Sequence, residues 1–173
     1  MFFASLVACA SAGVEHETIE SPHYTAADGS YSLELPLGWR RADNALTFDG
    51  PDHQTITFNA GAVLDEETRA IDASAPDLLV AMRDSLEAQP GIELIDCDAA
   101  TLDGLSGFRM HFRPALEDGQ AADALRAEVV IYGAIEGTTL FALSLESRDP
   151  ATRARDLDVF ERLVASFRRG SSK

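Results

Sequence analysis

Four histidines, a run of carboxylates, a serine between glycines and two cysteines are the groups in this chain whose types could support chemistry. His16, His23, His53 and His111 show neither the i, i+4 spacing of a helical zinc site nor a Cys-x-x-Cys companion. Loops could bring His23 and His53 near Asp49 and Asp52, whereas His111 lies between Met110 and Phe112, where strand alternation turns it away from the core-facing set. Asp65-Glu66-Glu67 opens an acidic stretch that continues through Asp72, Asp77, Asp84 and Glu87. Carboxylate oxygens suit a hard cation, but no D-x-D-x-D-G loop gathers these around one centre, and a solvated helix face is the simpler reading. Gly104-Leu-Ser106-Gly107 is not the G-x-S-x-G of a nucleophile elbow and is expected to be a turn. There is no Walker-type phosphate loop, and Lys173 is the only lysine, which removes Lys-based ATP chemistry and Schiff-base chemistry. The sequence therefore assembles no catalytic, cofactor-binding or metal site, and the expectation is a protein that is not an enzyme. A hydrolase or metal-dependent enzyme is the least favoured class.

The remaining reactive group is Cys9. Phe2 to Ala8 is an apolar run followed by small residues, the order of the end of a signal h-region and its cleavage site. Leu6-Val7-Ala8-Cys9 resembles the lipobox read by the bacterial lipoprotein signal peptidase, which implies that Cys9 becomes an acylated N-terminus. The run is short, with no Lys or Arg before it, and Ala10-Ser11-Ala12 offers a competing secretory cut that would release a soluble protein from Gly13. Residues 1–13 are thus expected to be a signal and lipobox segment. No later stretch approaches the roughly 18 consecutive apolar residues that a membrane span requires.

With 173 residues and 46% hydrophobic content, the chain can bury one core without staples. If Cys9 is acylated, Cys97 stands alone, which excludes an intramolecular disulfide framework and leaves Cys97 as a small buried hydrophobe. The formal net charge is −15. A surface of that sign repels phosphate backbones and anionic lipid head groups, so nucleic acid is excluded as a partner and only acyl chains could hold the protein on a membrane. A protein partner in the cell envelope, of unknown identity, is the expectation.

Positioning elements follow from periodicity. Glu15, Glu17 and Glu20 make residues 14–22 an acidic tether, and a single domain is expected over 23–169, with 170–173 as a tail. Tyr31, Leu33 and Leu35 alternate as a half-buried strand closed by Pro36 and Gly38, with Trp39 as a core anchor. Short strands are expected over Leu46–Asp49 and Thr55–Ala60, separated by Gly50-Pro51-Asp52. Leu79, Met82 and Leu86 then recur at helical spacing until Pro90-Gly91. Ile92–Ala99, the Phe108-Met110-Phe112 alternation, Leu125–Ile135 and Thr138–Glu146 read as strands, the last two joined at Glu136-Gly137. Pro114–Ala124 reads as a protruding polar loop. In the final helix Asp149 caps, Pro150 occupies the first turn, and Leu157, Phe160, Leu163, Val164 and Phe167 form the apolar stripe, with Arg168 and Arg169 suiting the C-terminal dipole.

The order predicts an α+β fold, an antiparallel sheet with helices packed on it. Tyr31-Ser-Leu-Glu-Leu-Pro-Leu-Gly-Trp39, Gly104-Leu-Ser-Gly-Phe108 and Phe160-Glu-Arg-Leu-Val-Ala-Ser-Phe167 resemble the corresponding parts of the PsbP/Mog-like superfamily. The resemblance implies an α/β/α sandwich used mostly by non-enzymatic proteins, among them small bacterial lipoproteins and chaperones of type VI secretion effectors. It carries over no functional residue, because Pro36 and Trp39 match as turn and packing residues. The resulting expectation is a bacterial cell-envelope lipoprotein with a non-catalytic partner-binding or accessory domain. The exposed side of the sheet or the Pro114–Ala124 loop would form the binding surface. The alternative is a cytoplasmic chaperone.

Overall fold

A computed structural model describes residues 17–18, 23–26, 29–36, 38–41, 47–51, 54–62, 76–115, 126–137 and 139–170. The strands, in chain order, are β1 (Glu17–Thr18), β2 (His23–Thr25), β3 (Tyr31–Glu34), β4 (Arg40–Arg41), β5 (Thr47–Asp49), β6 (Thr55–Ala62), β7 (Glu93–Leu102), β8 (Leu105–Arg113), β9 (Glu128–Glu136), β10 (Thr139–Ser147) and β11 (Arg168–Arg169). Helix α1 spans Pro76–Glu87 and α2 spans Arg153–Ser166. Eight strands form one antiparallel sheet in the order β1-β4-β5-β6-β10-β9-β8-β7, and β11-β3-β2 form a second, smaller sheet.

Alternation along the central strands divides the side chains between two cores. Phe48, Ile56, Phe58, Val130, Leu143 and Leu145 face the small sheet and α2, where they pack with Tyr31, Leu33, Phe160, Leu163 and Phe167. Cys97, Phe108, Met110, Phe112, Val129 and Ile131 face the other way, toward Leu86 of α1. The large sheet therefore packs against the small sheet and α2 on one face and, at its β7 margin, against α1 on the other. Tyr31, Phe58 and Phe167 form an aromatic triad with centroid separations of 3.9, 5.5 and 6.3 Å, joining the small sheet, the large sheet and the end of α2. Trp39 is buried, as its place after the Pro36 turn implies.

Several local readings are corrected. The β7–β8 turn is Asp103-Gly104, with φ of 48° and 77°, and Leu102 pairs with Leu105 across it. This is the two-residue Asp-Gly hairpin that matches strand twist, and it moves Ser106 and Gly107 from the expected turn into β8. Helix α2 begins at Arg153 behind Thr152, not at Asp149-Pro150. The Asp149 carboxylate instead accepts the Ala151 N–H, and its carbonyl accepts those of Thr152 and Arg153, so these residues form the turn that leads into the helix. Arg168 and Arg169 are not a helical last turn but strand β11, pairing with Ser32 and Tyr31. Glu17–Thr18, within the segment read as a tether, pair with Arg41 and Arg40 at the sheet edge. β9 starts at Glu128 rather than Leu125, and β7 runs on to Leu102 rather than stopping at Ala99.

Candidate functional site

Both central cores are apolar, yet the α2 face of the sheet carries a row of charges. On β8 the residues between Phe108, Met110 and Phe112 are Arg109, His111 and Arg113, and they point to the α2 side. Register sets Asp96 of β7 opposite His111 and Glu93 opposite Arg113, while Glu128 opens β9. Glu128 is the hub, with a side chain 6% exposed. Its Oε1 accepts from Arg113 Nη2 at 2.6 Å and Nε at 3.0 Å, and lies 3.0 Å from Arg153 Nη1 at the start of α2. His111 stands between two carboxylates, its Nε2 3.0 Å from Glu128 Oε2 and its Nδ1 3.5 Å from Asp96 Oδ2. Arg109 pairs with Asp96 and lies over the Tyr132 ring, 5.9 Å from its centroid.

Burial alone would raise the Glu128 carboxyl. The hydrogen bonds from Arg113 and His111, with the charges of Arg153 and Arg113, bring it below the ordinary carboxylate range. Both oxygens of this hub are thus engaged by groups of the protein itself. A second buried acid, Asp156, is bonded just as completely, accepting from Gln54 Nε2, Ser147 Oγ and Thr152 Oγ1, each at 2.8 Å. Both clusters tie α2 to the sheet rather than expose a reactive atom.

The residues singled out from sequence scatter. Cys9, His16, Asp52, His53, Asp65, Glu66, Glu67 and Asp72 lie outside the described residues. His23 is exposed on β2, its Nε2 3.4 Å from Thr25 Oγ1, and Asp49 on β5 accepts from Thr55 Oγ1. Asp84 and Glu87 are exposed on α1. Among the described residues no group of three His, Cys, Asp or Glu converges enough to hold a metal ion. Cys97 is buried against α1 and its thiol faces the Leu79 carbonyl at 3.9 Å; burial pushes its pKa up against the opposing pull of Arg83.

What remains is a groove on the α1 face. Helix α1 packs over β7, at one margin of the large sheet. Beside it lies a groove of about 280 Å³. Leu86, Phe112, Val129 and Ile131 supply an apolar wall, and Thr55, Thr57, Ser144 and Glu146 supply a polar one. The polar wall is the outward half of the Thr55-Ile56-Thr57-Phe58 alternation on β6 and its β10 partner. One end is closed by Pro90 and Ile92 against Pro114 and Ala115. Arg126 holds that end: its Nη2 donates to the carbonyls of Gly91 and Pro114, both at 2.7 Å, and its Nη1 lies 3.5 Å from Glu93 Oε2. Pro114 and Ala115 are the described root of the loop expected at Pro114–Ala124; residues 116–125 lie outside the described set. Sequence reasoning missed the charge row, Arg126 and the groove. The available signal was Arg109-x-His111-x-Arg113, three polar residues at strand spacing inside an apolar run.

No protein-family model matches the chain, and no curated protein does. Solved structures match its fold over nearly the whole length. The PsbP protein of the cyanobacterium Synechocystis is 17% identical with a TM-score of 0.54, covering 95% of this chain and 98% of its own. The Ran-binding protein Mog1p of Saccharomyces cerevisiae is 10% identical at 0.54, over 90% and 95%. LpqN, involved in cell envelope biogenesis in Mycobacterium tuberculosis, is 16% identical at 0.53, over 92% of each chain. The fold is the one these PsbP and Mog1 structures share, an α+β architecture with antiparallel sheets and helices on both sides.

Proposed function

We propose that the chain is a bacterial cell-envelope lipoprotein, held at a membrane by acyl chains on Cys9, whose domain is a non-catalytic partner-binding or accessory module. The observation that carries this reading is the disposition of the described ionisable groups. Glu128, His111, Asp96, Arg113 and Arg153 are engaged with one another, Asp156 with Gln54, Ser147 and Thr152, while a formed groove stands open on the other face. Catalysis by acid, base or nucleophile needs a polar atom aimed at a reacting group; these clusters aim theirs at the protein.

Three further points support the reading. The Leu6-Val7-Ala8-Cys9 run supplies an address, and LpqN, with the same fold, takes part in cell envelope biogenesis. Mog1p, again with this fold, binds a protein partner. No helix among the described residues is long and apolar enough to cross a membrane. With a net charge of −15, anchoring to an anionic surface falls to the acyl chains.

Intact-mass and N-terminal peptide mass spectrometry on protein from the native host, wild type beside Cys9→Ser, tests the proposal. A diacylated or triacylated Cys9 at the new N-terminus, lost in the variant together with membrane fractionation, is the expected result. An unmodified Met1 in cytoplasmic protein would overturn it in favour of a cytoplasmic chaperone.

A further inference from the structure

We propose that the groove beside α1 docks an extended segment of a cationic protein partner through one or two apolar anchor side chains. The inference rests on reading the domain as a binding module and names the kind of partner that module takes.

Size is the first ground. At about 280 Å³ the groove falls just under the roughly 300–1,000 Å³ in which pockets enclose a whole small molecule. It suits the few side chains that anchor the centre of a protein interface. The two walls are the second ground. Phe112 and Ile131 on β8 and β9, with Leu86 of α1, form an apolar stripe beside the polar stripe of Thr57, Ser144 and Glu146 on β6 and β10, Ser144 being the register partner of Ile131, and successive side chains of an extended segment project to opposite sides. A segment alternating apolar with polar or cationic residues therefore lays one set of side chains on each stripe, where an acyl chain would cover the Thr57 and Ser144 hydroxyls and the Glu146–Arg148 ion pair with hydrocarbon.

Charge is the third. The turn of α1 that supplies Leu86 also exposes Asp84 and Glu87, Glu146 lines the polar stripe with its Oε1 2.7 Å from Arg148 Nε, and the whole chain carries −15. A field of that sign steers cationic partners inward and penalises anionic ones. The mouth is also preformed. Arg126 fastens Gly91 to Pro114 before anything binds, which reduces the ordering cost of association.

The test is methyl NMR on the full-length chain, titrated with three probes. They are the capped hexapeptide Lys-Thr-Phe-Thr-Leu-Lys, its counterpart with glutamate at both ends, and the neutral lipid monodecanoyl glycerol. The expected result is that the lysine peptide shifts the methyls of Leu86, Val129 and Ile131. It should bind at least tenfold more tightly than the glutamate peptide, with an affinity that falls as salt rises. Ile131→Asp should abolish the shifts. Because Ile131 is buried, Thr57→Arg on the polar wall serves as a second variant that adds a cation without opening the core, and it should weaken the lysine peptide selectively.

Equal binding of the two peptides at all salt concentrations would overturn the proposal, as would shifts on the α2 face, binding of the lipid alone, or no shift with any probe. An acylated Cys9 with a silent groove would sink this inference and leave the envelope reading standing. A responsive groove on an unmodified chain would do the reverse.

Discussion

Arg153, the first residue of α2, places its Nη1 3.0 Å from Oε1 of Glu128, the first residue of β9, and so pins the last helix to the centre of the sheet. Among the described residues, Glu128 is the only carboxylate in contact with Arg113, Arg153 and His111 together. Removing its charge takes the carboxylate from Arg153 and leaves Arg113 with Glu93 alone in a half-buried site, and breaking a buried pair in this way costs about 3 kcal/mol. Glu128→Gln is expected to lower stability by that amount in urea unfolding. A double-mutant cycle with Arg153→Ala should give a coupling above about 0.5 kcal/mol; strict additivity would show that the two residues do not act as a pair.

Acid should unfold the protein through the same groups. Glu128 and Asp103 are both lowered against the opposing effect of burial, the first by Arg113 and His111, the second by the backbone N–H and Nε of Arg169, each 3.0 Å from its Oδ2. A carboxyl whose folded pKa lies below its unfolded value contributes stability that is complete above the unfolded value, about 4 to 4.5. That contribution is lost as pH falls through the folded value. Melting temperature should be flat near neutrality and fall steeply on the acid side of pH 4.5, and Asp103→Asn should make that fall shallower. A wild-type profile unchanged down to pH 3 would contradict the assignment.

The turn that joins β7 to β8 makes a backbone prediction. Gly104 has φ of 77°, beside Asp103 at 48°, and a side chain in that region costs roughly 1–2 kcal/mol. A Cβ at Gly104 would meet no atom within 4 Å, so strain is the whole effect. Gly104→Ala is therefore expected to lose about 1 kcal/mol, and Gly104→Asn, which tolerates positive φ, less. Equal losses for the two variants would mean that something other than φ decides.

Much of this architecture was legible because one residue type repeats at one period. Leu79, Met82 and Leu86 announced α1, Phe108, Met110 and Phe112 announced β8, and the family resemblance supplied the way the layers close. The charge row was not legible, because alternation says only that Arg109, His111 and Arg113 share a face. It does not say that α2 covers that face. Asp96 and Glu128 come from strands 13 and 15 residues away from their partners Arg109 and Arg113, and pairing at that distance depends on sheet order. The start of α2 was misplaced for a local reason. Asp-Pro is a helix-entry signal and also a turn signal, and here the carbonyl of Asp149 accepts the N–H groups of Thr152 and of Arg153, the first helical residue, so the turn runs directly into the helix.

Cys97 should be chemically silent in the folded protein. It is 5% exposed, its pKa is raised chiefly by burial, and the thiolate is the reactive form. In a Cys9→Ser background, reaction with an aromatic disulfide reagent should proceed at the rate of global opening and accelerate with urea. Completion within seconds in native buffer would show that α1 leaves the sheet far more readily than its packing implies.

Arg126 offers the sharpest chemical contrast. Its Nη2 reaches the carbonyls of Gly91 and Pro114 and its Nε also donates to Pro114 at 3.2 Å, so a single planar group holds both lips of the groove mouth. A lysine ammonium carries the same charge on a flexible stem but lacks the fork that serves two carbonyls at once. Arg126→Lys should therefore behave more like Arg126→Ala than like wild type, each losing about 1.5–3 kcal/mol, the range for hydrogen bonds to a charged group. Hydrogen exchange would locate the loss. Faster exchange at Ile92 and Ala115, with Val130 to Ala134 unchanged, is expected from release of the mouth alone. Full protection of Ile92 and Ala115 in Arg126→Lys would mean that charge, and not the shape of the guanidinium, keeps the mouth closed.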